Sequence, residues 1–213
     1  MKMKRTIWIP LVLGAALGLL DIVSLGVDFL IPLGPFGATG PQEVLVIISA
    51  AVGGPLGLMV ANFLQELGIY FFFLKPQLSP EQMLSTGWLF SIADFAAHIF
   101  ALLAVAYGYR FLHQHAKKVY SFFVGWVLIV VLYYALLVLL QSFLIGLVIP
   151  DKPPLSTLFQ NNLPEFLVVT IISTLIWVAL PRRYYRPLWY ELENAPGQNG
   201  EIPDELKEGA LCK

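Results

Sequence analysis

The stretch EVLVIISAAVGGPLGLMVANFLQELGIYFFFL, residues 43–74, decides how this chain is read. As one continuous helix its 32 residues would reach about 48 Å, well beyond a bilayer core of about 30 Å. Gly53-Gly54-Pro55 stands in its middle, a strong helix interrupter. The segment therefore reads as two helices joined by a tight turn, a short one followed by a full-length one. The short one crosses a membrane only if it starts near Phe36 or sits in a thinned or protein-lined region.

The flanking sequence follows the same pattern. Further apolar runs of spanning length occupy residues 7–32, 88–112, 119–149 and 164–180. Of the 213 residues, 58% are hydrophobic and only 13% charged, with a mean hydropathy of +0.74. A soluble domain carries roughly 25% charge, so this composition excludes both an ordinary soluble domain and disorder. The expected fold is all-α: a polytopic membrane protein with a six-helix transmembrane bundle over 1–186, its second helix short. An acidic cytoplasmic tail, expected to be disordered, occupies 187–213; residues 191–208 hold six acids and one lysine. The basic, apolar N-terminus has a signal-like outline. Asp21 and Asp28 interrupt it where a small-residue cleavage site would fall, so it reads as a retained helix.

The distribution of positive charge tests the count. Lys2, Lys4 and Arg5 precede the first span. Arg110, Lys117 and Lys118 follow the fourth, and Arg182, Arg183 and Arg186 follow the sixth. The segments 34–42, 75–87 and 150–163 carry only Lys75 and Lys152. If residues 43–74 cross twice, every basic cluster falls inside, which places both termini in the cytoplasm and the protein in the cell membrane.

Ionisable residues inside spans are costly and are functional candidates by default. Asp21 and Asp28 share a face of the first span, with Ser24 beside them. Asn62 and Glu66 lie four apart in the third, with Gln65 adjacent. Asp94 and His98 lie four apart in the fourth, Gln141 is in the fifth, and Glu165 opens the sixth. In the six-span topology Asp21, Asp28, Asp94, His98, Gln141 and Glu165 fall in the outer half and Glu66 just past the midpoint of its helix, a similar depth that suggests one cavity open to the outside. Bland roles compete with that reading: Glu165, after Pro164, suits a helix N-terminus, Asp28 suits the wet interface, and Asp94 with His98 suits a structural pair. Asn62 and Gln141 suit interhelical hydrogen bonds worth about 1 kcal/mol. The cluster holds five carboxylates and one histidine, with no lysine or arginine. Such carboxylates would not all stay ionised when buried together. A cavity of this sign favours a cationic or hydrogen-bond-donating ligand, or protons.

Other chemistries find no support. The single cysteine, Cys212, excludes an internal disulfide and any cysteine-based metal or redox site. Gly37-Ala38-Thr39-Gly40 lacks the serine that a rhomboid-type protease needs, and no HExxH, GxxxxGK[ST] or GxSxG occurs. His113 and His115 read as solvated residues of the inner basic loop. No enzymatic activity, cofactor or resident metal is expected, and a net charge of −1 offers no field for nucleic acid.

In outline, residues 7–186 resemble the substrate-binding S components of energy-coupling-factor (ECF) vitamin transporters. The likeness rests on six helices with cytoplasmic ends, a small-xxx-small pair in the first helix, and the passage AAVGGPLGLMVANFLQELGIYFFFL, residues 50–74. The resemblance implies uptake of a small solute captured from the outer face. It also implies a transmembrane coupling subunit and two cytoplasmic ATPases as partners. By position Gly14 and Gly18, where that family usually has alanines, would be the coupling contacts. Rod-shape-determining membrane subunits and membrane sensor modules share a similar outline, so a scaffold in a membrane assembly is the alternative. A proton-coupled carrier acting alone would need carboxylates accessible from both sides, whereas the acids here lie mainly in one half.

Overall fold

The computed structural model describes residues 3–26, 31–32, 38–39, 42–74, 79, 81, 87–116, 118–148 and 154–179. Asp28 and the 187–213 tail lie outside the described residues. The described chain is almost entirely helical. Helix α1 spans Met3–Gly26, α2 Gln42–Ile69 (extended by a π-helical turn, Tyr70–Leu74), α3 Trp88–His115, α4 Val119–Val148 and α5 Leu155–Ala179. Between α1 and α2, a two-residue strand β1 (Ile31–Pro32) pairs antiparallel with β2 (Ala38–Thr39). All five helices are long and apolar enough to cross a membrane, as in a multi-pass membrane protein. Large apolar side chains such as Phe100, Phe111, Leu128, Phe143 and Ile171 stand exposed along them. In water so much exposed apolar surface would mark an interaction site, whereas lipid is its natural solvent.

Helix α2 is not straight. In a continuous helix Glu43 and Gln65 would lie about 33 Å apart. Instead Gln65 Nε2 donates to Glu43 Oε1 at 2.8 Å. The chain reverses at Gly54, whose φ of 63° and ψ of −156° form a combination essentially reserved for glycine. Pro55 contributes twice: it disfavours helical geometry at the residue before it, and its fixed φ suits the first turn of the second arm. Gly57 then passes so close to the first arm that a Cβ on it would lie 3.0 Å from the Ser49 carbonyl oxygen. Eleven residues back from Gly54 and eleven forward lead to Glu43 and Gln65, so a symmetric hairpin brings the two to one level.

Helix α1 runs alongside the second arm and parallel to it. Gly14 faces Gly57, Gly18 faces Ala61 and Leu64, and Ile22 and Leu25 face Gly68. A Cβ on Gly14 would overlap the Gly57 carbonyl oxygen, and one on Gly18 would lie 2.8 Å from Leu64 Cβ. Both glycines are buried. The structure thus places Gly14 and Gly18 at an internal helix contact, not on an outer face where a coupling subunit could reach them. The outward face of α1 carries Trp8, Val12, Leu19 and Val23 instead.

The first arm of α2 lies at the centre. Val46, Ile47, Ala50 and Ala51 are fully buried and join one core with Leu102 and Val105 of α3, Trp126 and Tyr133 of α4 and Val169 of α5. At the end of the molecule where α3 finishes, Tyr109, Trp126 and Trp177 pack ring against ring, with Tyr109 stacked on Trp177 at 5.1 Å. There Trp126 Nε1 donates to Ser173 Oγ at 3.0 Å. Helix α5 differs from expectation: it starts at Leu155 and carries Pro164 inside it. The polar run Ser156–Asn162 masks this helix in a hydropathy reading.

Two substitutions test this packing. Gly54→Val, forced into a glycine-only conformation, costs about 1–3 kcal/mol. Gly14→Leu inserts a side chain where backbone meets backbone and costs at least as much. Both should lower the thermal unfolding midpoint in detergent, whereas Ala16→Leu, on an exposed position of α1, should leave it unchanged. An unchanged midpoint for Gly14→Leu would contradict the close α1–α2 contact.

Candidate functional site

Four helices converge at the opposite end of the molecule from the aromatic knot. Their polar side chains form one buried network centred on Glu43, which is 5% exposed. Glu43 Oε1 accepts from Gln65 Nε2 at 2.8 Å and lies 3.2 Å from His98 Nε2. Glu43 Oε2 accepts from the Tyr133 hydroxyl at 2.5 Å. These contacts join the two arms of α2 to α3 and α4. A buried carboxylate is tolerable only when donors surround it, and Glu43 has three.

A second part of the network starts from His98 on the same turn of α3 as Asp94. His98 Nδ1 lies 3.0 Å from the Asp94 carbonyl oxygen, 3.6 Å from Asp94 Oδ1 and 3.7 Å from Glu66 Oε1. Gln141 Nε2 of α4 donates to Asp94 Oδ1 at 2.8 Å. Asn62 Nδ2 donates to the Phe95 carbonyl at 3.3 Å, tying the second arm of α2 to α3. Glu66, Asp94 and His98 each offer a ligand atom, all within 4.8 Å of one another.

Acceptors outnumber donors here. Glu66 and the fully buried Asp21 present four carboxylate oxygens that accept no hydrogen bond from the protein. Asn62 Oδ1 and Gln65 Oε1 are likewise buried without a protein donor. Among the described residues, His98 is the side chain within ion-pair distance of Glu66, its Nδ1 lying 3.7 Å from Oε1, and it carries charge only when protonated. Buried acceptors are ordinarily satisfied, so these oxygens are placed to receive a proton, a water or a ligand donor. A cavity of about 400 Å³ opens beside it, between the second arm of α2 and α3. Phe63, Tyr70, Trp88 and Phe95 wall it, and Glu66 is its charged lining residue.

The structure therefore brings together Glu66, Asp94, His98 and Gln141, residues expected at a similar depth, and ties Asn62 to the α3 backbone at Phe95, with Asp21 buried on the neighbouring α1. Glu165 stands apart from the hydrogen-bonded set. It is half-buried on α5 and close enough to Tyr133, Tyr134 and Glu43 to act on them electrostatically. It lies ten residues into α5, so the role of capping a helix N-terminus does not apply. Glu43 was not among the sequence candidates, because it read as the polar start of an apolar run. Tyr133 carried no signal distinguishing it from its aromatic neighbours. In comparisons with known proteins, no family model, curated protein or solved structure matched this chain.

The two kinds of carboxylate should behave oppositely on substitution. Glu43→Ala strands buried donors at about 1–3 kcal/mol each and should lower the thermal midpoint sharply. Asp21→Asn and Glu66→Gln replace carboxyls that accept no hydrogen bond from the protein and should leave the midpoint unchanged or raise it. A fall for these two as large as for Glu43→Ala would make them structural.

Proposed function

We propose that the chain is the substrate-specific membrane subunit of an ECF-type uptake system, binding a small cationic solute from the outer face. The observation that carries this reading is the set of four buried carboxylate oxygens, on Asp21 and Glu66, that accept nothing from the protein. A scaffold has no reason to bury carboxyls without protein donors, whereas a binding site holds them ready for a ligand. The aromatic cavity beside Glu66 has the size of a small-molecule site, and aromatic faces attract cations. The network gathers at one end, as capture from one face requires. In this reading both arms of α2 lie in the membrane, which gives the six-span topology, with the first arm lined by protein throughout. Both termini are cytoplasmic in the cell membrane. A coupling subunit and ATPases drive transport, and the partner meets a surface other than Gly14 and Gly18.

Two measurements test this. In a variant lacking Cys212, cysteines at Ser79 and Ser156, both exposed, should react with an impermeant reagent from outside the cell. Labelling at position 79 only from inside would mean that residues 42–74 cross once. Mass spectrometry of small molecules retained through mild purification should yield a bound solute. Asp21→Asn, Glu66→Gln and Asp94→Asn should each weaken its binding about 10–100-fold, the equivalent of a charge-assisted hydrogen bond of roughly 1.5–3 kcal/mol. Affinity unchanged in all three folded variants would sink the site. Copurification with cell-wall machinery in place of a coupling subunit and ATPases would favour the scaffold.

A further inference from the structure

We infer that Glu66, Asp94 and His98 form a binding site for one divalent first-row transition-metal ion. The inference rests on the proposal that this network is a ligand site, and it names the ligand class. Three observations carry it. The first is spacing. His98 Nδ1 lies 3.6 Å from Asp94 Oδ1 and 3.7 Å from Glu66 Oε1. An ion held by bonds of about 2.1 Å sets its tetrahedral ligands about 3.4 Å apart; the two histidine separations are close to that, and all three ligand atoms lie within 4.8 Å of one another.

The second is what each ligand lacks or has. Glu66 is 6% exposed, and neither of its oxygens accepts a hydrogen bond from the protein. Nδ1 of His98 faces the Asp94 carbonyl at 3.0 Å, and ligation exchanges that contact for a bond to the ion. The third is the surrounding support. A ligating histidine characteristically gives its other ring nitrogen to a carboxylate, which fixes the ring. Here Nε2 lies 3.2 Å from Glu43 Oε1, and Gln65 and Tyr133 in turn hold Glu43. Gln141 orients Asp94 in the same manner.

The donor set selects the metal. Two carboxylates and an imidazole suit Mn²⁺, Fe²⁺, Co²⁺ or Zn²⁺, while an all-oxygen set would suit Mg²⁺ or Ca²⁺. Asp21, buried on α1 with both oxygens unmet, is a further acid in the same region, and a dication nearby favours its ionised form more than a monocation does.

The test uses the full-length protein in detergent, stripped with a chelator and then titrated with Co²⁺, Mn²⁺ and Zn²⁺. One ion per chain should bind, and Co²⁺ should develop the visible absorption of nitrogen and oxygen ligation. Glu66→Gln, Asp94→Asn and His98→Ala should each weaken binding at least about tenfold. Excess Mg²⁺ should not displace the ion. The Co²⁺ spectrum of the unaltered protein needs no variant, so a variant that fails to fold leaves the test intact. Absence of a bound ion, or binding that all three substitutions leave unchanged, overturns the metal site. An organic solute retained with no metal overturns it too, while the solute-binding proposal stands. Neither ion nor solute bound to the folded protein overturns both.

Discussion

A carboxylate at the centre of packed helices needs donors, and Glu43 draws them from three directions. Gln65 comes from the second arm of its own helix, His98 from α3 and Tyr133 from α4. None of these contacts exists unless the chain reverses at Gly54, because the reversal alone returns Glu43 to the level of Gln65. The reversal in turn places the first arm of α2, with its run of valine, isoleucine and alanine, in the middle of the core. Backbone conformation at one glycine and the satisfaction of one buried charge are thus mutually dependent: each makes the other's cost tolerable. A buried ionic group is weak evidence of stability by itself. Here it acts as a registration device, fixing the height of α2 against α3 and α4 where apolar packing alone would permit sliding.

The two ends of the molecule are built on different principles. Around Tyr109, Trp126 and Trp177 the rings fill space, and the indole of Trp126 finds a hydroxyl. That end is apolar and tightly interlocked. Around Asp21 and Glu66 the protein instead buries oxygens that it does not satisfy. In a low-dielectric setting an unmet polar group is expensive. Such groups persist where something outside the fold completes them, and stability is commonly given up at a binding site for that reason. What distinguishes the polar end is that the groups buried there are carboxyls, the most costly of polar groups to leave without donors.

Much of this was legible in the sequence, for identifiable reasons. Apolar runs set the helices, and Gly-Gly-Pro set the reversal, because few residue combinations can adopt that geometry. Spacing of four paired Asn62 with Glu66, with Gln65 adjacent, and paired Asp94 with His98. The centre of the network stayed hidden. Glu43 stands beside Pro41 and Gln42 at the edge of an apolar run, where a carboxylate ordinarily reads as an interfacial residue. Only the hairpin moves that edge inside the core. Tyr133 is one of two adjacent tyrosines in a helix rich in large apolar residues, and nothing local shows which of them meets a charge. The start of α5 was obscured because a polar stretch and an internal proline both depress the apolar signal while still permitting a helix. The glycines of α1 were visible as a close-contact motif, but spacing says only that something approaches, not what.

What approaches is the second arm of α2, and this bears on the site itself. Asp21 is three residues beyond Gly18 on the same face of α1. Aspartate is short, so its carboxylate reaches little beyond its own helix surface. It lies fully buried only because Gly14, Gly18, Gly57 and Gly68 let the two helices approach nearly backbone to backbone. Larger residues along that seam would push α1 away and withdraw Asp21 from the network. The glycine stripe is therefore part of the site's electrostatics, although it contributes no polar atom. It sets how closely the carboxyl of Asp21 approaches the second arm of α2 that carries Glu66. Seating of α1 against α2 thus decides whether Asp21 stays buried at the polar end, independently of the hydrogen bonds around Glu43.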